Sequence, residues 1–466
     1  MAGRVRRLLG AVAALVCAAA LVTVGAGTAR ADDDIRARLE AVPGMRVTSE
    51  RQASGYTFFM LAYRQPVDHR NPSRGTFEQR LNLLHRSTGR PMILHTTGYD
   101  VPDYAFAAEP TKLVDGNQVS VEERYFSPSR PEPTDWTYLD IWQAAADHHR
   151  VVRALKPIYA KPWISTGASK GGMATVYHQV LYPHDLAGAV PYVAPNNPHV
   201  RDQRPYTRFL RTVGPASCRA ALTRVQRYAL AHRTALDAKY AAQAKENGWT
   251  FEILGSVDRA LEMAVLDTAW AFWQYHGESD CGSVPGPDLT VDAAYAFLDK
   301  IDGMDFYADQ GAAPYIPYYY QAGTQLGWPE PDFARLGLRG LLRYPRLYTP
   351  RSNVPRSIPM RFDPRVMPVI DQAVRHAGRH LLFVYGQADP WSVKRFRLGP
   401  GTRDSALYVA PGANHGATIG ALDAADEKAA TARLLRWAGV SPASVSVKSA
   451  DLLPGDGALR AVRRPL

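Results

Sequence analysis

The chain has 466 residues, of which 46% are apolar, and a formal charge of +11. That length and composition fit one large globular domain or two ordinary ones around a sizeable core, rather than a disordered chain. The basic residues are scattered, with no run long enough to form a nucleic-acid-binding stripe, so nucleic acid is excluded as a partner.

The first elements are those of an export leader. Arg4, Arg6 and Arg7 precede an apolar run from Leu8 to about Val24, and Ala29-Arg30-Ala31 offers a small-residue cleavage site before three aspartates. A membrane anchor is the competing reading, but the run is short for a spanning helix and no second one follows, so no stable membrane association is expected. Val16 before Cys17 argues against a lipidated cysteine. Cleavage after Ala31 leaves 51 basic and 44 acidic residues, a formal charge of +7, on a secreted, extracellular protein. Of the cysteines only Cys218 and Cys281 then remain, and an exported chain with one pair usually joins them. Closing a loop of roughly 60 residues contributes about 4 kcal/mol in the chain-entropy model. No CxxC pattern or His/Cys cluster suggests a metal, and no cofactor is expected.

Short β-rich runs at 92–98, 118–126, 163–167 and 187–194 alternate with helical stretches at 137–155 and 170–181, which predicts βαβ units and a buried parallel sheet. After Pro195-Asn196-Asn197-Pro198 the pattern turns helical, for example over 206–246 and 258–277. Strand signals return at 380–386 and 406–410, and a helix at about 421–438 closes the core. The expected organisation is a leader (1–31), a first core part (32–198), a helical cap insertion carrying both cysteines (199–355), a second core part (356–440) and a peripheral tail (441–466). No internal repeat is present.

Within this frame, Gly167-Ala168-Ser169-Lys170-Gly171 fits G-x-S-x-G, a short pattern that arises often by chance. A hydroxyl becomes a useful nucleophile when an imidazole takes its proton and a carboxylate orients that imidazole. In the α/β-hydrolase layout the serine occupies a strand-to-helix turn, the acid follows a late strand and the histidine comes last. "WISTG" leads into Ser169, "LLFVYGQADPW" offers Asp389 and "LYVAPGANHGAT" offers His415, in that order. The oxyanion donors are then the N–H of Lys170 and one from the loop after the strand at 92–94, where Gly98 and Tyr99 are the candidates. A plain turn glycine and a packed tyrosine are the alternative for that pair. The fold class is therefore α/β, an α/β-hydrolase core with a helical cap.

"YRQPVDHRNPSRGTFEQR" (63–80), "VEERYF" (121–126), "TDWTYLDIWQAAAD" (134–147), "GASKGGMAT", "YYQAGTQLGW" (319–328) and "GQADPWS" (386–392) together carry a wider likeness. The chain resembles the secreted prolyl tri- and tetrapeptidyl aminopeptidases of actinomycetes, serine peptidases related to lysosomal prolyl carboxypeptidase. The resemblance implies a Ser169–His415–Asp389 triad cutting after proline a few residues from a free N-terminus, with peptides as partners. Trp391 matches an indole lining the proline pocket in the lysosomal relatives. Tyr319, Tyr320 and Trp328 join that wall or the cap core. An aminopeptidase also needs a carboxylate for the substrate ammonium, and Glu122 and Glu123 are the candidates, with a buried arginine salt bridge as the alternative for Glu122. The chain departs from the lysosomal relatives at Gly323 and Gln325, where those carry Cys and Glu, and at Lys170, where those carry an aromatic residue.

Two other functions compete. A secreted esterase or acyltransferase shares the triad, since only the pocket differs. A non-catalytic binding protein on the same fold has no reason to keep serine, acid and histidine in hydrolase order. No oligomeric state is implied.

Overall fold

The computed structural model describes residues 35–441 and 453–455. The leader at 1–31, Cys17 and most of the tail lie outside the described residues.

Nine strands form one sheet in the order β1-β2-β3-β5-β4-β6-β7-β8-β9. They are β1 (Met45–Ala53), β2 (Tyr56–Pro66), β3 (Thr76–His85), β4 (Met92–Thr96), β5 (Asn117–Val121), β6 (Trp163–Ala168), β7 (Gly188–Tyr192), β8 (Leu382–Gly386) and β9 (Ala406–Ala410). β1, β2, β3 and β5 pair antiparallel, whereas every pairing from β5 through β4 to β9 is parallel. β4, β5, β7 and β8 are buried along their whole length and β6 up to its last residue, as strands covered by helices on both faces must be. The inversion of β4 and β5 followed by sequential parallel strands is the α/β-hydrolase sheet.

The antiparallel limb β1–β3 was not anticipated in the sequence, because β2 mixes Arg64 and Gln65 into an apolar run with no clean alternation. The run at 118–126 also leaves the sheet early. β5 ends at Val121, and the buried Arg124 is drawn aside by Asp147 (2.7 and 2.8 Å) and by the carbonyls of Pro66, Val67 and Tyr138. A fully buried guanidinium has to satisfy its donors locally, and a strand position would deny it that.

Between β7 and β8 the chain builds helices Arg204–Thr212, Ala216–Ala231, Arg233–Asn247, Val257–Tyr275 and Val291–Asp302. The helix Val257–Tyr275 starts where the Ser256 side chain accepts from the Arg259 N–H. It is nearly all buried, and Leu261, Leu266, Trp270 and Trp273 centre the largest apolar cluster of the molecule. A disulfide joins Cys218, on the helix Ala216–Ala231, to Cys281 just beyond that central helix. The closing helix runs Ala424–Ala438, from an Asp423 cap to a left-handed Gly439.

The tail is not peripheral at 453–455: Leu453 is buried against Tyr56, Phe58 and Val101, and Ala107 donates to the Pro454 carbonyl at 3.0 Å. Among the described residues no helix is long and apolar enough to cross a membrane.

Candidate active site

Ser169 stands between β6 and the helix Lys170–Leu181 with φ 56° and ψ −123°, a left-handed conformation rare for a residue with a side chain. Its N–H donates to the Tyr192 carbonyl of β7 at 3.0 Å, and its own carbonyl accepts from Met173 at 2.9 Å. The turn closes because Gly167, Gly171 and Gly172 lack side chains. A Cβ on Gly167 or Gly171 would come within 2.5 or 2.3 Å of the Thr96 carbonyl, and one on Gly172 within 2.6 Å of the Tyr192 carbonyl. The serine is thereby presented, partly exposed, at the carboxyl end of the central strands.

Asp389 follows β8 and His415 follows β9. A Cβ on Gly386 would lie 2.2 Å from the Asn414 carbonyl, so the two loops touch backbone to backbone. His415 Nδ1 lies 2.9 Å from Asp389 Oδ1, which also accepts the Trp391 N–H at 3.0 Å, while Oδ2 accepts from the Ser392 hydroxyl at 2.6 Å. The buried carboxylate is thus fully engaged and fixes Nδ1 as the protonated nitrogen. His415 Nε2 is buried and holds no hydrogen bond. The Ser169–His415 hydrogen bond is not closed in this structure, a common state of catalytic contacts without substrate.

A cavity of about 20 Å³ adjoins Ser169, lined among others by Lys170, Asn197, Tyr206, Tyr318, Gly327 and Trp391. Lys170 is the first residue of its helix, so its N–H points out of the helix end. Gly98 (φ 73°) lies against this point, its would-be Cβ 2.4 Å from the Gly171 nitrogen. Tyr99, the other candidate donor, already donates its N–H to Thr97 Oγ1 at 3.2 Å. Gly98 is therefore the better placed of the two. The arrangement supplies a strained hydroxyl, an oriented imidazole and N–H groups at a helix start, which are the components of acyl transfer.

Comparison with known proteins agrees with this chemistry. Residues 29–455 match the family described as PS-10 peptidase S37. The chain belongs to that family. It is a serine peptidase. A prolyl tri/tetrapeptidyl aminopeptidase of Streptomyces mobaraensis is 50% identical over 446 residues, 93% of each chain. Among solved structures, the proline iminopeptidase of Mycobacterium smegmatis aligns with a TM-score of 0.35 at 12% identity, over 81% of this chain and 98% of that one. Epoxide hydrolase A of Mycobacterium thermoresistibile aligns with a TM-score of 0.32 at 14% identity, over 84% and 98%.

In this S37 peptidase Trp391 sits between core and cap. Its indole N–H donates to Gln274 Oε1 at 2.9 Å, its ring meets Trp270 at 5.1 Å and Trp328 at 6.1 Å, and it lines the Ser169 cavity. Trp328 and Tyr319 are buried beside it, 5.7 Å apart, whereas Tyr320 turns away to pack on Trp136 at 5.3 Å. Tyr318, one residue from the pair singled out in the sequence, is the tyrosine of that run that lines the cavity.

Glu122 does not reach the cavity. It is fully buried and accepts from Arg80 Nε (2.9 Å), Ser129 Oγ (2.8 Å) and the Val101 N–H (2.9 Å). Glu122 thus forms the buried arginine salt bridge named as its alternative, with Arg80 as the partner. Burial raises its pKa, and these donors partly offset the shift. Glu123 pairs with Lys170 Nζ at 2.9 Å, both groups buried, and the ammonium also lies 5.6 Å from the Phe126 ring. The lysine that replaces an aromatic residue at the turn is thus neutralised beneath it.

At the other departures, Gly323 packs against Met360, and Gln325 Oε1 accepts from the Ile141 N–H at the start of the helix Ile141–Leu155. Gln274, Asn197 and Tyr206 were not legible as site residues, since each lies in a helical or loop segment without a motif of its own. Among the described residues no group of three or more His, Cys, Asp or Glu could hold a metal ion.

Proposed function

We propose that this peptidase is exported and cleaves after proline, releasing tri- or tetrapeptides from free N-termini. The observation that carries the reading is Trp391: bonded by its backbone to the acid, it lines the cavity beside Ser169. Proline is a flat apolar ring without an N–H, and an aromatic face selects it by shape and stacking. The name of the Streptomyces mobaraensis relative and the leader-like first residues support the same reading.

In this mechanism His415 Nε2 takes the proton of Ser169 as Oγ attacks the prolyl carbonyl carbon. Asp389 stabilises the imidazolium through Nδ1, and the N–H groups of Lys170 and Gly98 hold the oxyanion. The imidazolium then returns the proton to the departing amine, leaving the acyl group on Ser169. Water, deprotonated by His415, releases the peptide acid.

The test uses Ala-Ala-Pro-anilide, its N-acetylated form and the Ser169→Ala variant. Cleavage of the free peptide alone, abolished in the variant, is the expected result. A protein that labels at Ser169 with a fluorophosphonate yet spares both anilides is an esterase or acyltransferase instead.

A further inference from the structure

Asp267 is a buried acid of the cap that nothing above uses. It lies on the helix Val257–Tyr275, on the same face as Trp270 and Gln274, at the i, i+3, i+7 spacing. Those two residues hold Trp391, through the ring contact and the indole hydrogen bond. Asp267 Oδ2 accepts from the Tyr307 hydroxyl at 2.7 Å, and the Tyr348 hydroxyl is the other hydrogen-bonding neighbour of the carboxylate, with no cation beside it.

Two buried polar atoms in this neighbourhood are without partners: the indole nitrogens of Trp328 and Trp270. Native interiors pair nearly all such groups, so a concentration of orphans beside a reaction site calls for an explanation. The rings are continuous with the site, since Trp328 meets Trp391 and Tyr348 at 6.1 Å each, Tyr319 at 5.7 Å and the cavity-lining Tyr318 at 6.1 Å. Burial pushes the Asp267 carboxyl up to about 7, as expected of a carboxylate with no cation beside it.

We propose that Asp267, with Tyr307, Tyr319 and Tyr348 around it, binds the α-ammonium of the peptide substrate and so measures the length released. A carboxylate among aromatic faces is the chemistry that recognises a desolvated ammonium. Asp267 lies seven residues before Gln274, about 10 Å along the helix axis from the residue that holds Trp391, a distance of the order of three extended residues. Glu123 is the weaker candidate because Lys170 already occupies it next to the nucleophile. The inference rests on the aminopeptidase reading.

The test is the ratio of kcat/KM for Ala-Ala-Pro-anilide over its N-acetyl form in wild type and in Asp267→Asn, with circular dichroism to establish folding. Affinity of the product Ala-Ala-Pro for the Ser169→Ala background, with and without Asp267→Asn, gives a readout independent of turnover. The expected result is a loss of about 100-fold in the free-over-blocked ratio and a matching loss of product affinity. A folded Asp267→Asn protein that keeps both overturns this inference and leaves the aminopeptidase reading intact. A wild type that cleaves neither or both forms equally overturns both. If Asp267→Asn does not fold, Asp267→Glu keeps the charge but displaces it: a KM for the tripeptide raised about 10-fold supports the site, and an unchanged KM overturns it.

Discussion

The indole N–H of Trp391 donates to the side-chain oxygen of Gln274 at 2.9 Å, and this bond ties the loop that carries Asp389, the proposed acid, to the helix Val257–Tyr275. The carbonyl of the same glutamine accepts the His415 N–H at 3.2 Å, so one residue of the helical insertion touches the loops of both Asp389 and His415, the proposed partners of Ser169.

Two variants test that connection. Trp391→Ala removes the indole from the cavity and is expected to lower kcat/KM for a prolyl anilide by about 100-fold, on the scale of one buried aromatic side chain. Gln274→Leu leaves the indole N–H unpaired and is expected to raise KM about 10-fold with a smaller change in kcat. Steady-state kinetics with the free tripeptide anilide check both.

Asp389→Asn keeps the shape of the acid loop but can no longer hold His415 in the required tautomer. The expected outcome is a fall in kcat of about 10⁴-fold with little change in KM. The Ser392 hydroxyl, which donates to Asp389 Oδ2 at 2.6 Å, is a lesser support. Ser392→Ala is expected to cost about 10-fold, by loss of one hydrogen bond to a charged acceptor.

The Lys170–Glu123 pair is buried on both sides. Glu123→Gln strands the ammonium beneath the nucleophile turn and is expected to destabilise the protein by about 3–5 kcal/mol. Lys170→Met with Glu123→Gln removes both charges and recovers most of that loss. Denaturant melts of the single and double variants decide the matter, and a single variant as stable as wild type refutes the assignment.

His148 sets an acid limit to stability. Burial holds its pKa down at about 4, against an ordinary 6.5, with His178 and Lys170 acting in the same direction and Glu123 and Asp147 opposing. The folded state therefore keeps it neutral while the unfolded chain takes up a proton below 6.5. Stability falls as pH drops from 6.5 towards 4, by up to about 3 kcal/mol for this one group. His178, also held down by burial, adds to the same slope. His148→Gln is expected to flatten that limb in melts taken between pH 4 and 7.

The disulfide between Cys218 and Cys281 closes a loop of 63 residues in the cap. Replacing both cysteines with serine is expected to cost about 4 kcal/mol on the chain-entropy argument. Thermal melts of the double variant against wild type measure it, and an unchanged midpoint refutes the estimate.

Much of this was legible in the chain itself. The G-x-S-x-G turn between an apolar strand and a helix, and the order of Ser169, Asp389 and His415 after successive strands, are local patterns, because a strand's burial and a turn's need for glycine are written where they occur. So are the two cysteines and the ring of Trp391 beside the acid. What the chain could not show depends on side chains from distant segments meeting. Glu122 and Glu123 are adjacent acids, yet one is consumed by Arg80 and Ser129 and the other by Lys170, partners dictated by where β3 and the nucleophile helix pass. Asp267 and Gln274 look like ordinary helix residues until the cap folds over the sheet and gives one face of that helix to Trp391. Local sequence fixes which residues can do chemistry; desolvation and the geometry of packing decide which of them are left to do it.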